Sequence, residues 1–320
     1  MINWIYGFVL LLLFVLENIY FKIAKKHNIL DVPNARSSHH AITLRGGGVI
    51  FYLGVLVHGL IFDFFAPWFL CGLTLVALVS FMDDMHPLSA KVRLLVQIFS
   101  LLLMLLQLGV HEVSWGYVVV ALFVGLAILN IYNFMDGING ITGGYSLIIL
   151  VALAYINREI VSFVEQELII TVLCSVLVFN FFNFRKRAKC FAGDVGSVSI
   201  AFIVLFLIGK LIIKTEDFSW IVLLVVYGVD SVLTIIHRLI LHENIGLPHR
   251  KHLYQIMANE LKVPHVVVSS VYMVIQTLVI VGYFYFQAYG YWYLLSSILV
   301  LSILYVLFMY KYFDLHFSFN

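Results

Sequence analysis

The sequence predicts an all-α, polytopic integral membrane protein that forms one transmembrane domain over residues 1–320, and three observations predict it. First, 63% of the 320 residues are hydrophobic and only 11% are charged. A soluble domain holds roughly 45–50% apolar residues and about 25% charged ones, so a water-soluble enzyme is excluded. Second, the apolar residues gather in runs near the ~20 residues that a helix needs to cross a bilayer. Third, lysine and arginine concentrate in alternate connections between those runs, which is the pattern of an oriented membrane protein.

In chain order, the spans are predicted at about 3–21, 47–62, 66–81, 93–110, 114–132, 141–156, 167–183, 195–213, 218–236, 264–286 and 290–310, about eleven in all. The first lacks the cationic start and small-residue cleavage site of a signal peptide, so it is expected to stay as a span. The second and third are short and joined through Asp63 to Pro67. Sixteen of the 19 lysines and arginines lie in one set of connections: Lys22, Lys25, Lys26, Arg36 and Arg45; Lys91 and Arg93; Arg185, Lys186, Arg187 and Lys189; Arg238, Arg250, Lys251 and Lys262; and Lys311. The other set holds Arg158, Lys210 and Lys214 together with Asp63, Glu112, Glu159, Glu165, Glu167, Glu216 and Asp217. The first set is therefore expected in the cytoplasm, with the N-terminus outside and the C-terminus inside the plasma (inner) membrane. Trp4, Trp68, Trp115, Trp220 and Trp292 lie near span ends and read as an interfacial belt. Cys71 and Cys174 read as buried apolar fillers and Cys190 as a reduced thiol.

The basic side also carries the polar clusters. In its first loop, Arg36, His39 and Arg45 lead into Gly46-Gly47-Gly48 at a helix start. N–H groups there, with no Cβ in the way, suit an anionic oxygen; the glycines equally suit tight helix packing. In the second loop, Asp83 and Asp84 follow an apolar run. Adjacent helical residues point about 100° apart, so one carboxylate serves metal or substrate while the other orients it, with Lys91 placed to reach a phosphate or either acid. In the third, Asn130, Asn133, Asp136 and Asn139 recur every third residue, and Gly137 and Gly140 break the helix and open its backbone. In the fourth, a basic run precedes Gly193-Asp194-Val195-Gly196-Ser197, an acid at a helix start that is within reach of a metal. In the fifth, His249, Arg250, Lys251 and His252 form a cationic clamp for a diphosphate. Carboxylates gathered at a membrane boundary are costly, and they point to a divalent metal and phosphate chemistry.

Taken together, the blocks Arg36 to Gly48, Asp83-Asp84 with Lys91 and Gln97, Asn130 to Gly140, Gly193 to Ser197, and His249 to Gln255 resemble the polyprenyl-phosphate N-acetylhexosamine-1-phosphate transferases, the MraY/WecA-like membrane family. The resemblance covers essentially the whole chain. It implies ten or eleven transmembrane helices with an inward-facing, cytoplasmic site. It implies transfer of a sugar 1-phosphate from a UDP-N-acetylhexosamine, by default UDP-N-acetylglucosamine, to undecaprenyl phosphate, with release of UMP. It implies Mg²⁺, with Mn²⁺ as a substitute, and membrane lipids as surroundings; nucleic acid is not an expected partner, and a homodimer is compatible with it. By resemblance, Asp194 is a metal ligand, Asp83 a base, and the Asp136 block, with Asp84, part of the catalytic and nucleotide-binding machinery. Arg45, Lys91, Asn133, Asn139, His249, Arg250 and His252 are the expected substrate-binding residues. Asn139 replaces an aspartate common in relatives, so no ionic metal bond is assigned to it. The His-Arg-Lys-His order lacks the middle histidine of some members and differs from the longer histidine-rich loop of the peptidoglycan-precursor enzyme. That favours the branch that begins O-antigen, capsule or similar glycans, an analogy at the level of the family.

A phosphate monoester has its second pKa near 6, so the acceptor is mostly ionised at pH 7. Direct in-line attack is preferred, with Asp83 positioning the acceptor; an aspartyl-phosphate route is the alternative. The rival class is a secondary transporter of an anionic metabolite. Transporters commonly place charge near the bilayer midplane within internal repeats, whereas here the charge lies at one face and no repeat is visible.

Overall fold

A computed structural model describes residues 2–33, 41–63, 66–110, 114–244, 246 and 249–312. Arg36, His39 and Glu112 lie outside the described residues. The helices are α1 Ile2–Lys26, α2 Val49–Phe62, α3 Pro67–Met85, α4 Ala90–Leu108, α5 Trp115–Met135, α6 Ile141–Tyr155, α7 Gln166–Asn183, α8 Gly193–Thr215, α9 Val225–Ile240, the single turn α10 Leu253–Gln255, α11 His265–Tyr285 and α12 Gly290–Lys311. A two-residue antiparallel ladder joins β1 Leu30–Asp31 to β2 Thr43–Leu44. Every predicted apolar run is helical. Among the described residues, ten helical segments are long and apolar enough to cross a membrane; α2, with 14 residues, is shorter than that. It starts after Gly48 and ends at Phe62, where Asp63 turns into the left-handed region at φ +50°.

α8 is apolar on all sides, and 72% of its apolar window is buried; the last span, apolar but peripheral, buries 17%. Lipid is as apolar as the protein interior, so packing rather than apolarity separates the two: α8 packs against α2, α3, α4, α5 and α6. Cys71 departs from expectation: it is exposed on the outer surface of α3, while Cys174 and Cys190 are buried. An exposed apolar thiol on a lipid-facing helix costs little, because lipid is as apolar as the core.

One irregularity orients an element that matters below. The span ending in α9 begins as a tight 3-10 turn, Phe218–Leu224. The backbone groups released at the change of pitch must be satisfied inside the protein. Gln276 of α11 does this: its Nε2 donates to the Val222 carbonyl at 3.1 Å, and its Oε1 accepts from Val226 N–H at 3.3 Å and from the Tyr145 hydroxyl at 2.7 Å.

Candidate active site

Asp83 and Asp84 end α3, and they do face different points. Asp84 accepts the Asp194 N–H at 2.9 Å on Oδ1 and the Val195 N–H at 3.0 Å on Oδ2, and Arg45 Nε lies 2.6 Å from Oδ1. It thereby satisfies orphan donors at the start of α8 and opposes the positive end of its dipole. Gly193, at φ +70°, lets the chain turn there; a Cβ at that position would sit 2.5 Å from Asp84 Oδ2. Asp83 instead accepts the Leu88 N–H at 2.5 Å, and Arg93 Nη1 lies 3.1 Å from its Oδ2. The same Arg93 nitrogen is 3.4 Å from Asp194 Oδ2, and Arg45 Nη2 is 3.5 Å from Asp194 Oδ1. Two guanidinium groups therefore knit three carboxylates drawn from α3 and α8.

Gly47 and Gly48 do not present free N–H groups. Gly47 N–H bonds the Phe191 carbonyl at 2.8 Å and Gly48 N–H the Ala192 carbonyl at 3.1 Å. A Cβ on Gly48 would collide with the backbone of Gly196. The glycines serve close packing of the α2 and α8 starts, and the expectation of an anion held by their N–H groups is corrected accordingly. Tyr20 fixes the loop by donating its hydroxyl to the Arg45 carbonyl at 2.5 Å.

Asn130, Asn133, Asp136 and Asn139 do not share one helical face. The helix ends at Met135 and restarts at Ile141, as Gly137 and Gly140 predict. Asp136 accepts the Thr142 hydroxyl at 2.6 Å. Burial, with the charges of Asp194 and Asp84 adding to it, pushes its carboxyl up to about 8. Asn139 turns away and donates its amide to the carbonyls of Arg185 at 3.0 Å and Lys186 at 3.3 Å. Gly140 N–H bonds Asn183 Oδ1 at 2.7 Å, and Asn139 N–H bonds His265 Nδ1 at 3.4 Å. The third and fourth loops and the start of α11 are thereby stitched together.

In the fifth loop, His252 is 2% exposed, with Nδ1 3.3 Å from Asp230 Oδ1. The His249 and His252 rings have centroids 5.0 Å apart. Burial, then the charges of His252 and Arg238, push the His249 imidazole down to about 3. Glu243 bridges Arg238, at 3.1 Å, and Lys251. Arg250 is half-buried on the same loop.

Two adjoining cavities result. One, of about 230 Å³, is lined by Arg45, Asn133, Asp136, Asn139 and Asp194 with Asn183, Gln255 and His265 among others. The second, of about 290 Å³, runs among α3, α4, α5 and α8 from Arg93, Gln97 and Asn130 to Val76, Val79 and Leu94. Asn133 and Asp194 belong to both walls. Asp83, Asp84, His249, Arg250 and His252 stand behind these walls rather than in them. Lys91 is exposed, and Arg93 makes the pairing with Asp83 foreseen for it. Sequence reasoning passed over Arg93, Asp230, Gln255 and His265. A lone carboxylate inside an apolar run, such as Asp230, was the available signal.

A family model described as glycosyl transferase family 4 matches residues 66–212, from α3 through α8, the stretch that holds Asp83, Asp84, Asp136 and Asp194. That stretch of the chain is similar to glycosyl transferase family 4. Relatives that the chain resembles include a probable undecaprenyl-phosphate N-acetylglucosaminyl 1-phosphate transferase of Bacillus subtilis (strain 168), 28% identical over 279 residues, covering 79% of this chain and 77% of the relative. The undecaprenyl-phosphate alpha-N-acetylglucosaminyl 1-phosphate transferase of Escherichia coli (strain K12) is 28% identical over 207 residues, covering 58% of this chain and 56% of the relative. The chain therefore spans little more than half the length of the second.

The donor set fits the divalent cation that the resemblance implies. Among the described residues no group of three or more His, Cys, Asp or Glu side chains converges in a cage, which disfavours a protein-only zinc site. Mg²⁺ commonly takes one or two carboxylates and completes its octahedron with water and substrate phosphates. Asp194, 17% exposed by side chain in a wall common to both cavities, supplies such a hard oxygen ligand.

Proposed function

We propose that the protein transfers N-acetylhexosamine 1-phosphate from a UDP-sugar, with UDP-N-acetylglucosamine as the default donor, to undecaprenyl phosphate, forming undecaprenyl-diphospho-sugar and UMP. The reaction is the first membrane step of O-antigen, capsule or another envelope glycan, on the cytoplasmic face of the plasma membrane. The observation that carries this reading is the wall shared by the two cavities: Asp194 and Asn133 stand between a polar chamber and a groove that grades from polar to apolar. A nucleotide-sugar diphosphate suits the first, and the phosphate and first isoprene units of the lipid suit the second.

Mg²⁺ held by Asp194 would offset the diphosphate charge and polarise the bond to UMP. Arg45 sits at the donor side of Asp194 and Arg93 at the acceptor side, each able to turn from carboxylate to phosphate oxygen. Asp83, held by the Leu88 N–H and Arg93, keeps Arg93 in register for the acceptor. An acceptor oxygen then attacks the sugar-bearing phosphorus while the bond from that phosphorus to the UMP oxygen breaks in line. Because the acceptor is already ionised at pH 7, no proton has to be removed by Asp83. Membranes given labelled UDP-N-acetylglucosamine, undecaprenyl phosphate and Mg²⁺ should form labelled lipid and UMP. Uptake of label with no lipid product would replace the reading with a transporter.

A further inference from the structure

The basic run of the fourth loop has no part in the transfer chemistry above, and the fold gives it company. Lys189 Nζ lies 4.8 Å from the ring centroid of Phe21 and 4.9 Å from that of Phe182, and those two rings meet edge-on with centroids 4.9 Å apart. The end of α1, with Lys22, Lys25 and Lys26, is thereby set beside Arg185, Lys186, Arg187 and Lys189, some 160 residues along the chain. All of these cations are exposed. None of them forms an ion pair among the described residues. Residues 18–30 and 180–192 contain no Asp or Glu. Glu17 is fully buried against Cys190 and presents no charge at this surface. Like charges gathered without a counter-charge repel one another, so the surface calls for an anion.

The surface is braced from below. Asn139 donates its amide to the Arg185 and Lys186 carbonyls at 3.0 and 3.3 Å, Lys189 N–H bonds the Phe182 carbonyl at 2.9 Å, and Asn183 Nδ2 donates to the Cys190 carbonyl at 2.8 Å. A charge excess that serves only to orient the chain during insertion needs no such bracing. Next to the cations, α1 exposes Ile19 and Ile23 and α7 exposes Phe181. The Arg185 guanidinium lies 5.1 Å from the Phe181 ring centroid. Cations at a helix end beside exposed apolar side chains match both parts of a phospholipid, an anionic headgroup and its acyl chains. A soluble acidic protein would meet the charges and leave the apolar side chains unmatched.

We propose that the end of α1 and the 185–189 loop form one docking surface for the headgroups of anionic phospholipids. The inference goes beyond the transferase reading and does not depend on it. The full-length protein is reconstituted in phosphatidylcholine vesicles carrying a trace of spin-labelled phosphatidylglycerol or spin-labelled phosphatidylcholine, and the immobilised fraction of each label is compared. The unaltered protein should prefer phosphatidylglycerol, and rising salt should erode the preference. Arg185→Gln with Arg187→Gln, and Lys22→Gln with Lys25→Gln, should each cut the preference at least about 5-fold, the factor that one cation near the surface supplies. Arg185→Lys with Arg187→Lys should keep it, because a headgroup surface reads charge. Lys262→Gln with Lys311→Gln, which removes the same charge elsewhere on the same predicted side, should also keep it. Equal loss in that pair would assign the preference to the general charge of that side, and loss in the lysine pair equal to that in the glutamine pair would make the arginines structural. Displacement of the labelled lipid by free glycerol phosphate would replace the lipid surface with a soluble-phosphate site. A raised KM for undecaprenyl phosphate in the glutamine variants would make the cations an acceptor port instead. Absence of any preference in the unaltered protein would overturn the proposal and leave the surface to an acidic protein or to topology alone.

Discussion

The carboxylate half and the histidine half of the site follow opposite electrostatic plans. In the first, Arg45 and Arg93 share the oxygens of Asp83, Asp84 and Asp194 with 34% and 39% of their own side chains exposed. In the second, the ion pairs turn inward: Arg238 and His252 are 3% and 2% exposed by side chain and held by Glu243 and Asp230. A partly solvated pair is worth little, so its cation can change partners when a phosphate arrives. A buried pair deprived of one member leaves a stranded charge, at a cost of about 3–5 kcal/mol. The α3–α8 side is built to rearrange around ligand, and the histidine loop to hold its shape.

The comparison is sharpened first by Asp194→Asn. Turnover should fall by at least about 10²-fold while the protein still inserts; near-normal rates at saturating Mg²⁺ would refute the ligand role. Next, Arg93→Gln should cost about 10–100-fold in lipid product formation, as expected for a hydrogen bond to a charged group, while Lys91→Gln stays within about 3-fold. Equal losses at the two positions would erase the distinction drawn between them. Asp84→Asn should act on stability more than chemistry. Weakening the acceptor at the start of α8 should cost about 1–3 kcal/mol, read as a lower melting temperature in detergent; an unchanged melting temperature would mean that other groups secure α8.

The smallest effect belongs to His249 and depends on pH. Its pKa is pushed down to about 3 in the fold, against about 6.5 in an unfolded chain. The unfolded state therefore binds the extra proton across that window, and the stability that His249 contributes is present above about pH 6.5 and lost as pH falls toward 3. His249→Gln should flatten the decline of melting temperature between about pH 7 and pH 4. An unaltered slope would assign the acid sensitivity to other groups.

Hydropathy summed over some twenty residues sufficed to place every helix but the single turn α10, because transfer into lipid depends on composition and not on partners. The break at Gly137 and Gly140 was equally legible, since backbone freedom is a local property. Which polar atoms meet was not. Lys91 and Arg93 lie in the same first turn of α4 and carry the same charge, yet only Arg93 turns toward Asp83 and Asp194. The choice depends on how α4 rolls against α3 and α8, and successive side chains on a helix differ by about 100° in direction. Gly46 to Gly48 suited an anion cradle and tight helix packing equally, and the fold favours packing because Phe191 and Ala192, some 140 residues along the chain, take the Gly47 and Gly48 N–H groups. Asp230 drew no reading from the sequence, because Tyr272, Leu253 and His252, the groups that give it a setting, close around it only in the fold. Composition decides which segments enter the membrane; the directions in which distant segments present their side chains decide which charges work together, and those directions exist only once the helices have packed.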